Sequence, residues 1–170
     1  MSLLFSRFQH RPVQAADLAE IVTFVQNPDE LFYSFPRAIW PLSIGQLAAT
    51  AAERRDSTVV LIDGRPAGFA NFFAWQHGES CSLGNLMIAP WARTQGVAQF
   101  LIEVMEQQAR SHYKAKQLLA SCFNSNTAGI LLYHKLGFHV QGIRQRQNLQ
   151  LQKVALIDFV KPLAPTLQDS

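Results

Sequence analysis

Ile88-Ala89-Pro90-Trp91-Ala92-Arg93-Thr94-Gln95-Gly96-Val97-Ala98 is the stretch that decides how this chain folds. Just before it, Leu83 to Ile88 reads as a short apolar strand. Pro90 has no N–H for a sheet ladder, and its ring restricts Ala89, so the strand should stop there. From Val97 the apolar spacing becomes helical, with Val97, Leu101, Val104 and Met105 on one face. The segment between is a strand-to-helix turn carrying Arg93 and Gly96. Such a turn leaves the first helical N–H groups without intrahelical partners, at the positive end of the macrodipole. Gly96 and Ala98 keep side chains out of the way, so a phosphate could reach the bare backbone. The turn reads as an anion site.

Downstream, Asn126-x-x-Gly129-x-x-Leu132-Tyr133-His134-Lys135-Leu136-Gly137-Phe138 forms a second block. Arg93-x-x-Gly96-x-Ala98 after Ile88-Ala89-Pro90 resembles the acyl-CoA-binding motif of the GNAT superfamily of N-acyltransferases. The second block resembles that family's Asn-x-x-Ala-x-x-Leu-Tyr-x-x-x-Gly-Phe signature, with Gly129 where Ala is usual. Order and separation both match, and the close resemblance covers Leu83 to Phe138.

Away from these blocks the chain is an ordinary globular sequence. Its 170 residues suit one domain with a proper core, and 48% hydrophobic with 16% charged residues excludes a disordered chain. We therefore expect a single domain over 1–170 with a structured core at about 7–161. The formal charge of +3 fits either a plain surface or a bias towards an anionic ligand. Cys81 and Cys122 show neither CxxC nor metal-ligand spacing, so no metal and no disulfide framework are expected, and the cytoplasm is the default compartment. No apolar run is long enough to span a membrane, and Met1–Arg11 lacks a signal-peptide pattern. A nucleic-acid partner would need more basic residues interleaved with aromatics. A monomer or homodimer is expected.

Taken in order, Phe8 to Val13 reads as a strand, and Asp17 caps a helical segment carrying Leu18, Ile21, Val22 and Val25. Asn27-Pro28-Asp29 should break that helix. Next, Leu31 to Trp40 is crowded with aromatics, and a second helix starts at Ser43 and runs to Arg54. Phe32, Tyr33 and Phe35 either pack as core or line an acceptor pocket; both readings stand. Thr58 to Ile62, Asp63-Gly64 and Ala67 to Trp75 form a hairpin, and Ser80 to Ile88 the strand into the central motif. Gln117 to Phe123 is a further strand, and Asn126 to Leu136 a helix stopped by Gly137. Phe138 to Gln147 and Leu149 to Val160 close the sheet, before a frayed tail from Pro162. Pattern alone gives an α/β or α+β domain. The resemblance implies the GNAT fold, a central mixed, mostly antiparallel sheet flanked by helices in the order β-α-α-β-β-β-α-β-α-β-β.

The resemblance also implies acetyl-CoA as co-substrate and a primary amine of a small molecule as acceptor, with direct transfer between them. Alternatives are a protein or peptide N-terminal acetyltransferase, and a catalytically silent acyl-CoA-binding regulatory domain. Arg93, Thr94, Gln95, Gly96, Val97 and Ala98 would hold the pyrophosphate, and the backbone of Met87 and Ile88 the pantetheine arm. Tyr133 shares a helix face with Gly129 and Asn126. Spacing alone makes it core; the resemblance makes it the general acid for the departing thiolate, with Asn126 and Gly129 beside the cofactor. No acidic residue lies on Ser82 to Ile88 or Leu118 to Phe123. Glu79, near His77, is then the base to test, with water held by Asn85 or Ser121 as the other route, and Asn85 is also placed in the substrate pocket.

Overall fold

Each flank of the central turn forms for the reason its sequence suggests. The computed structural model describes residues 7–165. Strand β4 spans Ser80–Ile88 and helix α4 Val97–Tyr113. Between them Pro90–Ala92 makes a single 3-10 turn, with Pro at its start, where a missing N–H costs nothing. The chain then passes through Thr94 (φ 62°) and Gly96 (φ 86°), and the second of these is a left-handed position that favours glycine.

Before the turn come β1 (Phe8–Pro12), α1 (Leu18–Ile21), α2 (Pro28–Ser34), α3 (Ile44–Glu53), β2 (Arg55–Ile62) and β3 (Arg65–Gln76). After α4 come β5 (Gln117–Phe123), α5 (Thr127–Lys135), β6 (His139–Gln147) and β7 (Lys153–Pro162). The strands form one sheet in the order β1-β2-β3-β4-β5-β7-β6. The pairs β1–β2, β2–β3, β5–β7 and β6–β7 are antiparallel, while β4–β5 is parallel. This is the mixed, mostly antiparallel sheet with flanking helices that the resemblance implied. No helix among the described residues is long and apolar enough to cross a membrane.

Contacts divide the described chain into two compact units, one of 7–73 and Gly84–Met105, the other of Ala74–Leu83 and 106–165. In the first, β2 and β3 turn through Asp63 (φ 50°) and Gly64 (φ 81°), the paired positive φ angles of a tight hairpin. Helix α4 starts flush against β3 at Gly68. A Cβ there would stand 3.0 Å from Val97 Cγ1 and 3.2 Å from Ile88 Cδ1. Phe24, Leu31, Leu47, Phe69, Phe72 and Leu101 are sealed in its core. Each such side chain contributes about 1.5–3 kcal/mol on burial.

In the second unit β5 runs parallel to the start of β4, from Ser80 beside Gln117 to Ser82 beside Leu119, and antiparallel to β7. Gly137 (φ 88°) ends α5 in a Schellman motif: Phe138 N–H donates to the Tyr133 carbonyl and Gly137 N–H to that of His134. The Phe138 and Tyr133 rings seal that motif edge to face, 5.2 Å apart.

Four sequence readings need correction. Asn27-Pro28-Asp29 starts a helix rather than only ending one: Asn27 accepts from Glu30 N–H, Pro28 opens α2, and Asp29 and Glu30 fill its first turn. The element order therefore gains a helix between α1 and α3. Asp17 does not cap α1; its carboxylate accepts from Gln14 N–H and both Arg11 terminal nitrogens instead. Leu149 and Leu151 belong to the turn before β7, with Leu151 at φ 61°. Pro162 ends β7 and Leu163 N–H donates to the Lys116 carbonyl, so the chain is held there; the tail expected beyond lies, from 166 on, outside the described residues.

Asp17 and Asp158 titrate below the ordinary aspartate value of 3.8, chiefly through hydrogen bonds from Arg11 and Arg144 respectively. A lowered carboxylate stabilises the fold above its unfolded pKa and loses that contribution as pH falls through the folded value. Melting temperature should therefore decline below about pH 4. Asp158→Asn should shallow that decline, and an unchanged slope would remove the pair from the acid response.

Candidate active site

In the first unit the backbone, more than the side chains, suits an anion. The N–H groups of Val97, Ala98 and Gln99 open α4 and have no intrahelical acceptors by helix geometry. Gly96 has no side chain to obstruct them, and the macrodipole favours negative charge there. A pyrophosphate therefore fits the donor set. Arg93 is differently employed from the sequence expectation. Its guanidinium meets both carboxylate oxygens of Glu30 at 3.2 Å and the Phe24 carbonyl at 3.3 Å, fastening the turn to α2 and its approach. Thr94 Oγ1 donates to the Arg93 carbonyl and Gln95 Nε2 to that of Trp91, so both side chains brace the turn internally. Met87 is buried, and the Ile88 side chain packs at Gly68.

The same unit gathers Phe35 and Asn85 with two residues the sequence did not single out, Arg54 and Asn71. Asn85 is buried at φ 51°; its Nδ2 donates to the Ser34 carbonyl and its Oδ1 accepts from Asn71 Nδ2. Asn71 Oδ1 in turn accepts from Arg54 Nη1 at 3.1 Å. Both polar ends of Asn85 are thus used by protein, which leaves it a buried brace more than a water carrier. Phe35 is buried, while Phe32 and Tyr33 are half-buried and tilt against each other at 6.4 Å. Gly84, an isolated glycine within a strand, was the available signal, since such a glycine marks a close approach by another group. Here that group is Arg54, thirty residues earlier in the chain, which local pattern could not reveal.

In the second unit Asn126 caps α5, its Oδ1 accepting from Gly129 N–H at 3.1 Å and its Nδ2 remaining as a donor. The space Gly129 leaves is filled from within rather than open beside the phenol. A Cβ there would stand 2.7 Å from Asn126 Nδ2 and 2.8 Å from Cys122 Sγ. Gly→Ala inside a helix ordinarily gains about 1 kcal/mol. Gly129→Ala should instead destabilise by about 1–3 kcal/mol through overpacking. Adding Cys122→Ala should recover part of that loss, measured by urea denaturation; a stabilised single variant would refute the crowding.

The Tyr133 ring is buried against Phe138 and Phe159, at 5.2 and 5.4 Å. Burial first, and the neighbouring Cys122 second, raise the phenol's pKa well above its ordinary value, so it is held protonated as a donor. Among the described residues its hydroxyl has no protein hydrogen-bond partner. The ring is therefore core. Burial also pushes the Cys122 thiol up to about 11, which keeps it neutral and poorly nucleophilic.

Glu79 is exposed in the turn before β4, and its backbone carbonyl accepts from Lys116 and Gln117 N–H. It stands at the amino-terminal end of a nine-residue strand whose other end carries the anion-binding turn. Sequence reading missed another carboxylate. Asp158 of β7 sits opposite Ser121 of β5 and accepts its hydroxyl proton at 2.7 Å, while Arg144 grips both its oxygens. Arg144 lowers its pKa, making it a weak base and an ion-pair anchor.

With this geometry in view, comparison with known proteins gives a consistent family. A model of the acetyltransferase (GNAT) family matches residues 20–138. No curated protein matches the chain. Among solved structures, the Escherichia coli ribosomal-protein-S18-alanine N-acetyltransferase is 20% identical, with a TM-score of 0.72 over 96% of this chain and 98% of its own. A Salmonella typhimurium protein solved with its cofactor acetyl-CoA is 20% identical, with a TM-score of 0.72 over 95% and 96%. A GCN5-related N-acetyltransferase from Kribbella flavida is 22% identical, with a TM-score of 0.71 over 92% and 98%. At these identities the likeness is one of fold.

Proposed function

The chain belongs to the acetyltransferase (GNAT) family, and we propose that it moves an acetyl group from acetyl-CoA to the primary amine of a small molecule. The observation that carries this reading is the strand–turn–helix at Ile88–Ala98, where bare N–H groups meet a glycine at φ 86°. Acetyl-CoA supplies the activated acyl group. In the proposal the N–H groups of Val97 and Ala98 hold its pyrophosphate, and the backbone of Met87 and Ile88 lines the pantetheine arm as a strand edge can. Asn126 Nδ2 offers a further donor to that arm. Arg93 acts indirectly, by keeping the turn in register through Glu30.

The amine nitrogen attacks the thioester carbonyl, the C–N bond forms and the C–S bond breaks. Tyr133 gives its phenolic proton to the departing sulfur, and the proton lost by the amine returns the phenol to its acid form through solvent. Burial keeps the proton on the phenol until the sulfur gains charge in the transition state, the moment at which a hydrogen bond to it strengthens. The amine loses its proton to water. We place the reaction in the cytoplasm, where two buried free thiols are at home, and treat 1–170 as one transferase domain.

The test is to incubate the protein with carbon-13 acetyl-CoA and a panel of amino acids, polyamines, aminoglycosides and peptides, then locate the label by mass spectrometry and NMR. The proposal expects label on the nitrogen of a small amine. Label confined to peptide amino termini would shift the acceptor class, and hydrolysis to labelled acetate alone would contradict amine transfer.

A further inference from the structure

Arg54 is a half-buried cation whose charge no neighbour cancels. Its Nη1 donates to Asn71 Oδ1, a neutral amide. The rings of Phe35 and Phe73 lie 5.9 and 5.6 Å from its Cζ. Gly84 of β4 makes room for it: a Cβ there would collide with Nη1 and approach Phe73 Cδ1 to 3.0 Å. Among the described residues no carboxylate forms an ion pair with Arg54, whereas Arg11, Arg93 and Arg144 each have one. Burial and then the positive charge of Arg37 lower its pKa, with exposed Glu53 opposing weakly. A guanidinium carries five N–H donors in a planar fork shaped for a carboxylate, and here one is used.

Placement matters as much as charge. Side chains alternate along β3, so Asn71 and Phe73 point to the face opposite Gly68, where α4 packs. Arg54 therefore lies across the sheet from the anion-binding turn. Gly84 precedes Ile88 by four residues, about 13 Å along the strand. Asn85, the neighbouring polar group, has both ends engaged. Arg54 is the cluster's donor with hydrogens to spare, flanked by two apolar rings, in the region where the sequence placed the acceptor pocket.

We propose that Arg54 binds the carboxylate of the acceptor, so that the substrate is a small amine that also bears a carboxylate, its apolar part lying between Phe35 and Phe73. This rests on the acetyltransferase reading and deepens it. A free amino acid offers amine and carboxylate in one small molecule. A peptide amino terminus does not, because its first carboxyl is spent in an amide bond; the site thus favours a small acceptor.

The experiment compares free amino acids with their carboxamides and with short peptides, reading thiol release from acetyl-CoA. In parallel, calorimetry measures binding of N-acetyl amino acids and their amides to the CoA complex. Wild type should use the acids at least about tenfold better in kcat/KM than the amides, the lower end of what a hydrogen bond to a charged group contributes. Arg54→Gln should lose that preference, mainly through KM, while retaining acetyl-CoA affinity, and Arg54→Lys should recover part of it. Equal use of acids and amides by wild type would overturn the inference, as would an unchanged preference in a folded Arg54→Gln variant. If no amine is turned over, the acetyltransferase reading fails on its own. The binding arm then decides: equal binding of acid and amide by wild type overturns the carboxylate site, and selective binding of the acid upholds it.

Discussion

Gly96→Asp should abolish the stabilisation that acetyl-CoA gives the wild-type protein. At a hundred times its dissociation constant, a ligand that binds only the folded state raises stability by about 2.7 kcal/mol. In the variant a carboxylate would stand where the pyrophosphate oxygens meet the N–H groups opening α4, and like charges would exclude one another. Gly96 sits at φ 86°, so any side chain there adds backbone strain irrespective of charge. Gly96→Asn separates the two effects, since it has nearly the same size and tolerance of left-handed backbone but no charge. Both variants should melt below wild type without ligand. With acetyl-CoA, Gly96→Asn should regain part of the thermal shift and Gly96→Asp none of it. A full ligand-induced shift in folded Gly96→Asp would place the phosphates elsewhere.

Tyr133→Phe carries the largest expected effect on rate. The ring packs against Phe138 and Phe159, and those contacts survive loss of the hydroxyl. Stability and acetyl-CoA affinity should therefore stay close to wild type. Protonation of the departing thiolate is realised in the transition state, so kcat should fall by about 10²–10⁴-fold, the usual contribution of general acid catalysis. The check is kcat with a good acceptor beside calorimetric affinity for acetyl-CoA. An unchanged kcat would return Tyr133 to a purely packing role, and a smaller fall would mean that water substitutes for the phenol or that amine attack limits the rate.

What could be read from the chain alone follows the range of the interactions involved. The strand β4, helix α4, hairpin turn at Asp63-Gly64, and the caps Ser43, Asn126 and Gly137 are set by neighbours within a few residues, and all were legible. Helix α2 was legible too, but Asn27-Pro28 was read only as a stop when the same pair opens a helix. The contacts that local pattern could not show are those made with distant partners. Arg93 was read only for its place in the turn, and its pairing with Glu30, sixty-three residues earlier, lay beyond local pattern. Asp158 and Arg54 went unnoticed because their partners, Ser121 and the gap at Gly84, come from other strands.

Acceptor-dependent release of free thiol from acetyl-CoA tests the central claim most directly. The account predicts that at least one small amine, with carboxylated amines foremost, accelerates release well above the rate of hydrolysis, and that Tyr133→Phe suppresses this acceleration. Tight acetyl-CoA binding with no acceleration by any amine or peptide would contradict it, leaving a domain that holds the cofactor and transfers nothing.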